Sequence, residues 1–410
     1  MLATGRVRAL RDGFVYVELP RVALGDGIRI ERDDHAILAQ IISVDGASAI
    51  AAPFQSPVGI RCGDRVVADP RPGHVIVGTQ LFGRVLNGLG ESLDGGQPAM
   101  GYQAALVTPI PATQARVVGT QVCWTGVRAI DGLLTLARGA RTGIFGAPGA
   151  GKSTLLQMLV RGVQADAVVV AAVGERGREA TAWAQSIDHR TTLFVETSDA
   201  SASLRLRAAF YAVAQAAALR ARGLNVLLVL DSLARVGAAQ REIGIAAGEP
   251  VGRGGYPASV VPTLARLLEV AGSLAHGSIT LVATVLSDGD DRDPLSEAAR
   301  SLLDGHITLS SELAQRGYFP AIDLLASSSR TMDGVVTNEH ARNAVSMRAA
   351  MALIARYADA RALGLVTADA AGQRAEAAQV AIEEFLCQRQ PGANPDRTLA
   401  ELAALADTLE

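Results

Sequence analysis

Residues Gly146, Ala147, Pro148, Gly149, Ala150, Gly151, Lys152 and Ser153 meet the spacing G-x-x-x-x-G-K-[ST], with Thr154 next in line. Glycines at these positions let successive backbone N–H groups turn inward onto phosphate oxygens, and a helix opening behind them adds its partial positive charge. Lys152 is the only lysine among 38 Lys+Arg residues. A compact ammonium on a flexible stem fits under such a loop and bridges two phosphates, whereas a planar guanidinium is too wide and too fixed. Lys152 is therefore predicted to be a phosphate ligand, with the Ser153 hydroxyl on Mg²⁺. Residues 146–154 are the expected cradle for ATP.

Phosphate chemistry also needs an acid for the metal and a group to orient water. The apolar run NVLLVLD ends in Asp231, which would emerge at the carboxyl edge of a sheet beside the loop. A second run, VVVAAVGERGRE, ends in Glu175 and Arg176, where a glutamate can polarise an attacking water. Read alone, GER serves equally well as a solvated turn; the neighbouring phosphate loop favours water activation.

The elements that position these groups follow from periodicity. Up to residue 75 the chain reads as short strands, GFVYVEL, DGIRIE, AILAQIISVDG, ASAIAA and DRVVAD, which predicts a small barrel or sandwich. DPRPGHVIVG (69–78) marks a boundary. Six apolar runs follow at 141–146, 167–174, 191–196, 225–231, 278–286 and 305–310, alternating with amphipathic stretches such as STLLQMLVRGVQ and TLARLLEVAGSL. This pattern predicts a parallel sheet covered on both faces. Beyond about 340 only helical spacing remains. The expected division is residues 1–76, 77–338 and 339–410: a barrel-like domain, an α/β core and a helical domain.

The bulk numbers exclude several classes. A formal charge of −3 over 410 residues offers no basic field for a nucleic acid. Three cysteines, Cys62, Cys123 and Cys387, stand far apart in no metal-binding spacing and are expected as packing residues. No stretch reaches the ~18 apolar residues of a membrane span, and the N-terminus lacks a signal-peptide pattern, so a cytosolic location is expected.

These motifs and the segments around them resemble the type III secretion ATPases, relatives of the ATP synthase β subunit. The resemblance runs through LFGRVLNGLGESLDG (81–95), TGVRAIDGLLTLARGARTGIFGAPGAGKSTLL (125–156), VGERGRE (173–179), LVLDSLARVGAAQREIGIAAGEP (228–250), GGYPASVVPTLARLLEVAG (254–272) and DGHITLSSELAQRGYFPAIDLLASSSR (304–330). It implies a RecA-like P-loop NTPase core between an N-terminal barrel and C-terminal helices, assembled as a homohexamer. It assigns Glu175 to water activation and Asp231 to Mg²⁺, with Arg176 and Arg235 flanking the site. Arg330 is implied as an arginine finger for the neighbouring subunit, and Phe319 and Phe385 as aromatics on the adenine. Stalk and regulatory proteins, secreted substrates with their chaperones and an export gate at the inner membrane are the implied partners. QREIGIAAGEP followed by GYPASV is similar to the secretion branch rather than the rotary synthase branch, and DLLASSSR resembles injectisome more than flagellar enzymes. A Rho-like RNA translocase would need a basic, aromatic face, yet residues 1–75 hold only Phe14, Tyr16 and Phe54 as aromatics. The sequence departs from the family pattern at Ala283, Asp288 and Ser311, which bear on subunit contacts. Most of the N-terminal extension usual in the family is expected to be missing.

Overall fold

The computed structural model describes residues 3–32, 35–286, 293–363 and 369–409, so Asp288 lies outside the described residues. Six strands open the chain: β1 (Thr4–Arg11), β2 (Phe14–Glu18), β3 (Gly27–Glu31), β4 (Ala36–Asp45), β5 (Ser48–Pro53) and β6 (Arg65–Ala68). They close a barrel in the order β1-β2-β5-β4-β3-β6, with β1 returning to β6 at Thr4↔Val67. Alternation turns Val15, Val17, Ile28, Ile30 and Ile41 into the lumen. The sequence reading lacked β1. In TGRVRALR only Val7 is fully buried, so the arginine-rich outer face hides the two-residue period.

The central sheet is built from β7 (Arg141–Gly146), β8 (Ala167–Glu175), β9 (Thr191–Thr197), β10 (Asn225–Asp231), β11 (Ser278–Leu286), β12 (Gly305–Leu309) and β13 (Ile322–Ser329). Its order is β13-β12-β7-β11-β10-β8-β9, extended past β9 by Val85–Leu86. All nine residues of β8 are buried, as expected for a parallel strand with helices on both faces. The seven strands are parallel except β13, which runs antiparallel to β12 with Leu309↔Ile322 and Gly305↔Ser329 in register. Its serine-rich sequence and edge position left no apolar run to read.

Eleven helices are needed to follow the chain: α1 (Arg128–Leu133), α2 (Lys152–Gly162), α3 (Gly177–Ser186), α4 (Ala202–Arg220), α5 (Leu233–Ala246), α6 (Val260–Leu268), α7 (Pro294–Leu302), α8 (Ser311–Gln315), α9 (Asn338–Ala362), α10 (Ala370–Leu386) and α11 (Pro395–Leu409). The expected helix TLARLLEVAGSL stops at Leu268, and Gly272–Leu274 pairs with β11 instead. Cys123 is buried and Cys387 half-buried, but Cys62 is exposed, which corrects its assignment to packing.

Helix α4 ties the barrel to the sheet. Its Arg207 guanidinium is buried and donates to three backbone carbonyls: Gly88 at 2.8 Å, His74 at 3.1 Å and Pro72. It also lies over the Phe54 ring, 5.3 Å from its centre. Burial alone lowers its pKa to about 10, so it stays charged, and the carbonyl dipoles take the place of a carboxylate.

Candidate nucleotide site

The loop after β7 lies where the parallel strands end, and α2 begins at Lys152. Gly149 and Gly151 hold φ of +84° and +93°, a left-handed conformation that a side chain would strain. The loop borders one cleft of about 550 Å³, lined by Gly149 and Gly151. Lys152 folds back beneath it, its Nζ donating to Gly146 O at 2.6 Å and Ala147 O at 2.8 Å. The same cleft is lined by Pro148, Ser153, Thr154, Glu175, Arg176, Asp231 and Arg235, together with Glu179, Ser232 and Thr284. Ser153 and Thr154 are exposed at its mouth, whereas Ala150 is fully buried under the loop.

Adjacent strand ends bring the carboxylates together. Asp231 ends β10 in register with Ala172 of β8, three residues before Glu175. Thr284 donates to Asp231 Oδ1 at 2.6 Å and Trp183 Nε1 to Oδ2 at 3.3 Å. Burial nevertheless raises the Asp231 pKa, against the pull of those two bonds. Arg235, in the first turn of α5, meets Glu175 Oε1 at 3.4 Å. Burial pushes Glu175 up to about 9, helped by its bond to Glu179 and the charge of Asp231, while Arg235 pulls the other way. Glu179 is lowered, chiefly by that same bond. At neutral pH the Glu175 carboxyl is thus protonated and donates to an ionised Glu179. Arg176 caps α3, its backbone N–H donating to Glu179 at 3.3 Å.

Two aromatics were expected beside this site, and the structure separates them. The Phe319 ring borders the loop: a carbon added at Gly151 would lie 3.8 Å from its Cε1. Phe385 is 4% exposed, packed against Gly132 of α1 and under the Arg128 guanidinium. It is a core residue between α1 and the C-terminal helices, because its position on α10 faces the core and not the loop. Arg330 follows β13 at the opposite edge of the sheet, exposed, with its N–H on Asp304 O at 3.1 Å. The preceding Ser329 is level with Gly305 and, through it, with Thr142, and from Thr142 to Gly146 is four residues of strand, roughly 13 Å before the loop even begins.

Glu179, Trp183 and Thr284 were not found from sequence. Thr284 carried a faint signal, a hydroxyl inside the otherwise apolar SITLVATVL. Only the β10–β11 register, Leu230↔Ala283, brings it to Asp231.

Known proteins resemble this chain over most of its length. Residues 126–329 match the ATP synthase alpha/beta family, nucleotide-binding domain. The SPI-2 type 3 secretion system ATPase of Salmonella typhimurium is 42% identical over 85% of this chain and 82% of its own length. The flagellum-specific ATP synthase of Pseudomonas aeruginosa is 41% identical over 89% and 83%. The assembled ATPase EscN of the enteropathogenic E. coli type III secretion system superposes with a TM-score of 0.92 at 36% identity, covering 98% of this chain and 100% of that one. EscN in complex with its central stalk EscO gives 0.89, at the same identity and coverage. A nucleotide-binding fold, a complete phosphate loop and relatives of this similarity over most of the chain lead to one conclusion: the chain belongs to the type III secretion ATPases, the family related to the flagellar export ATPases and built on the ATP synthase alpha/beta fold.

Proposed function

We propose that this ATPase uses MgATP to drive substrate release and unfolding at a type III export apparatus, as a ring of six identical subunits. The observation that carries the reading is that one cleft gathers Lys152, Ser153, Glu175, Asp231 and Arg235 while Arg330 stands at the far edge of the same sheet. The residues fit the missing groups. The loop is open and held left-handed by its glycines, Ser153 offers an exposed hydroxyl, and the Asp231 carboxylate is fixed by two donors. Mg²⁺, when bound, would be held by Ser153 and Asp231 and would neutralise charge on the phosphates.

Lys152 exchanges its two carbonyl contacts for phosphate oxygens. Glu175 passes its own proton through the hydrogen-bonded Glu179 to solvent, then orients the attacking water and accepts a proton from it, and Arg235 beside it favours the ionised form. Arg176 and Arg235 flank the phosphates, and Phe319 carries the adenine. Arg330 cannot reach its own loop, so it completes the site of the next subunit, where a guanidinium stabilises charge on the transferring phosphoryl group. The three-part division at 76 and 338 assigns the barrel to subunit joining. The segment DLLASSSR is what favours an injectisome over a flagellum in this reading. Its partners would then be a central stalk like that bound by EscN, regulatory proteins, secreted substrates and their chaperones. The ring would associate peripherally with the inner membrane; among the described residues no helix is long and apolar enough to cross one.

Mixing tests the ring. Lys152→Ala and Arg330→Ala are each expected to be inactive, and mixed together to regain hydrolysis, because some interfaces pair an intact loop with an intact finger. A mixture that stays inactive although mixed rings form, seen by mass spectrometry of tagged subunits, removes the finger from Arg330.

A further inference from the structure

The elbow between α10 and α11 reaches toward the nucleotide site at Gln388. Gln388 is 8% exposed and uses every arm of its amide: Nε2 donates to Gly126 O at 2.7 Å and Gln390 O at 2.6 Å, and Oε1 accepts from Arg128 N at 2.9 Å. Its own backbone N–H donates to Phe319 O at 2.7 Å. The same elbow packs on the rear of the phosphate-loop helix, where a carbon added at Gly162 would lie 2.9 Å from Gly392 N. The far end of that helix starts beside the Phe319 ring. Gln388 thus stands where the C-terminal helices, the segment entering α1 and the backbone of Phe319 meet.

We propose that Gln388 is a positioning residue that seats Phe319 against the phosphate loop, so that adenine affinity depends on how the C-terminal helices are docked. The argument is mechanical. A buried amide with all its partners in place is satisfied in only one arrangement, and losing it strands the Arg128 amide and leaves Gly126 O with the Ala393 N–H at 3.0 Å. Releasing the side chain leaves the main-chain bond to Phe319 intact but loosens the elbow that carries it, which then rests on Ala393 N–H to Gly126 O and on Arg128 to Cys387 O. The phosphate contacts, made by residues 149–153, do not pass through this latch. Any partner that shifts α10 and α11 would then tighten or loosen nucleotide through Phe319, without touching the loop.

This inference rests on Phe319 being the adenine platform, and the experiment separates the two. Binding of a fluorescent ADP analogue and of magnesium pyrophosphate, and the steady-state hydrolysis of ATP, are measured for the full chain and for Gln388→Leu, Phe319→Ala and the double variant. Gln388→Leu is expected to weaken the ADP analogue and raise KM about tenfold, with kcat within about twofold and pyrophosphate affinity unchanged. The double variant is expected to match Phe319→Ala alone, because both act on one contact. If Phe319→Ala leaves ADP affinity unchanged, the platform reading fails and takes the proposal with it. If Phe319→Ala weakens ADP but Gln388→Leu does not, or weakens pyrophosphate equally, or adds to Phe319→Ala, the positioning role alone is overturned. Should Gln388→Leu not fold, Gln388→Asn keeps the amide one methylene short and is read by the same criteria, with a shift of about threefold expected.

Discussion

Replacing Glu175 by glutamine should slow hydrolysis and, above neutral pH, make the nucleotide-free protein more stable. Burial, Glu179 and Asp231 raise the Glu175 carboxyl from 4.5 to about 9. An acid whose folded-state pKa is raised gives stability that is complete below the unfolded pKa and declines as pH rises toward the folded one. At about pH 7.5 the wild type stands some three units up that slope, at ~1.4 kcal/mol per unit, which sets a ceiling of about 4 kcal/mol. Glu179, lowered by the same bond, returns part of this, and the rim of the cleft is open to water, so about 1–2 kcal/mol is the working figure. Glutamine keeps the shape and does not ionise, and so it escapes the slope. For a nucleotide-binding domain of this size that corresponds to a Tm higher by at least ~2 °C. Thermal unfolding without nucleotide, at about pH 8 and again at about pH 5, reads it: the gap should be present at the first and closed at the second. Hydrolysis should fall about 10²-fold or more in the same variant. A Tm equal to or below wild type at the higher pH, or a gap that persists at the lower, refutes the account of a buried, protonated Glu175.

Two further substitutions probe the loop and the latch under the barrel. Lys152→Arg should lose more than about tenfold in hydrolysis, over ~1.4 kcal/mol, although charge is kept. Turnover near wild type, with circular dichroism confirming the fold, would show that a guanidinium does fit beneath residues 146–151. Arg207→Ala strands three carbonyls and should cost about 3 kcal/mol, read as a lower Tm and new proteolytic cuts within 69–78. An unchanged cleavage pattern would mean that the barrel is held by other contacts.

How much of this was legible in the sequence depends on where the determining physics lies. Strands β7, β10 and β11 end where their apolar runs end, because the middle of a strand buried on both faces admits a hydroxyl but no charge until the strand leaves the sheet. Asp231 and Glu175 were legible for the same reason, each being the first charge after such a run. Strands β1 and β13 were not: one shows arginines to solvent and the other is an edge rich in serine, so neither carries the pattern. The Thr284 partner of Asp231 follows from register between strands far apart in sequence, which local spacing does not encode. Phe385 matches the resemblance in sequence, yet its place on α10 puts its ring in the core against Gly132.

The closure of the barrel has a consequence for how copies of this chain can meet. Because β1 hydrogen-bonds back to β6, no strand of that cylinder presents a row of unpaired amides and carbonyls to a neighbour. Contacts made by this end of the molecule must therefore be written in side chains, which part and re-form readily, and not in a shared backbone ladder, which once zipped seldom opens and is the usual route into fibres.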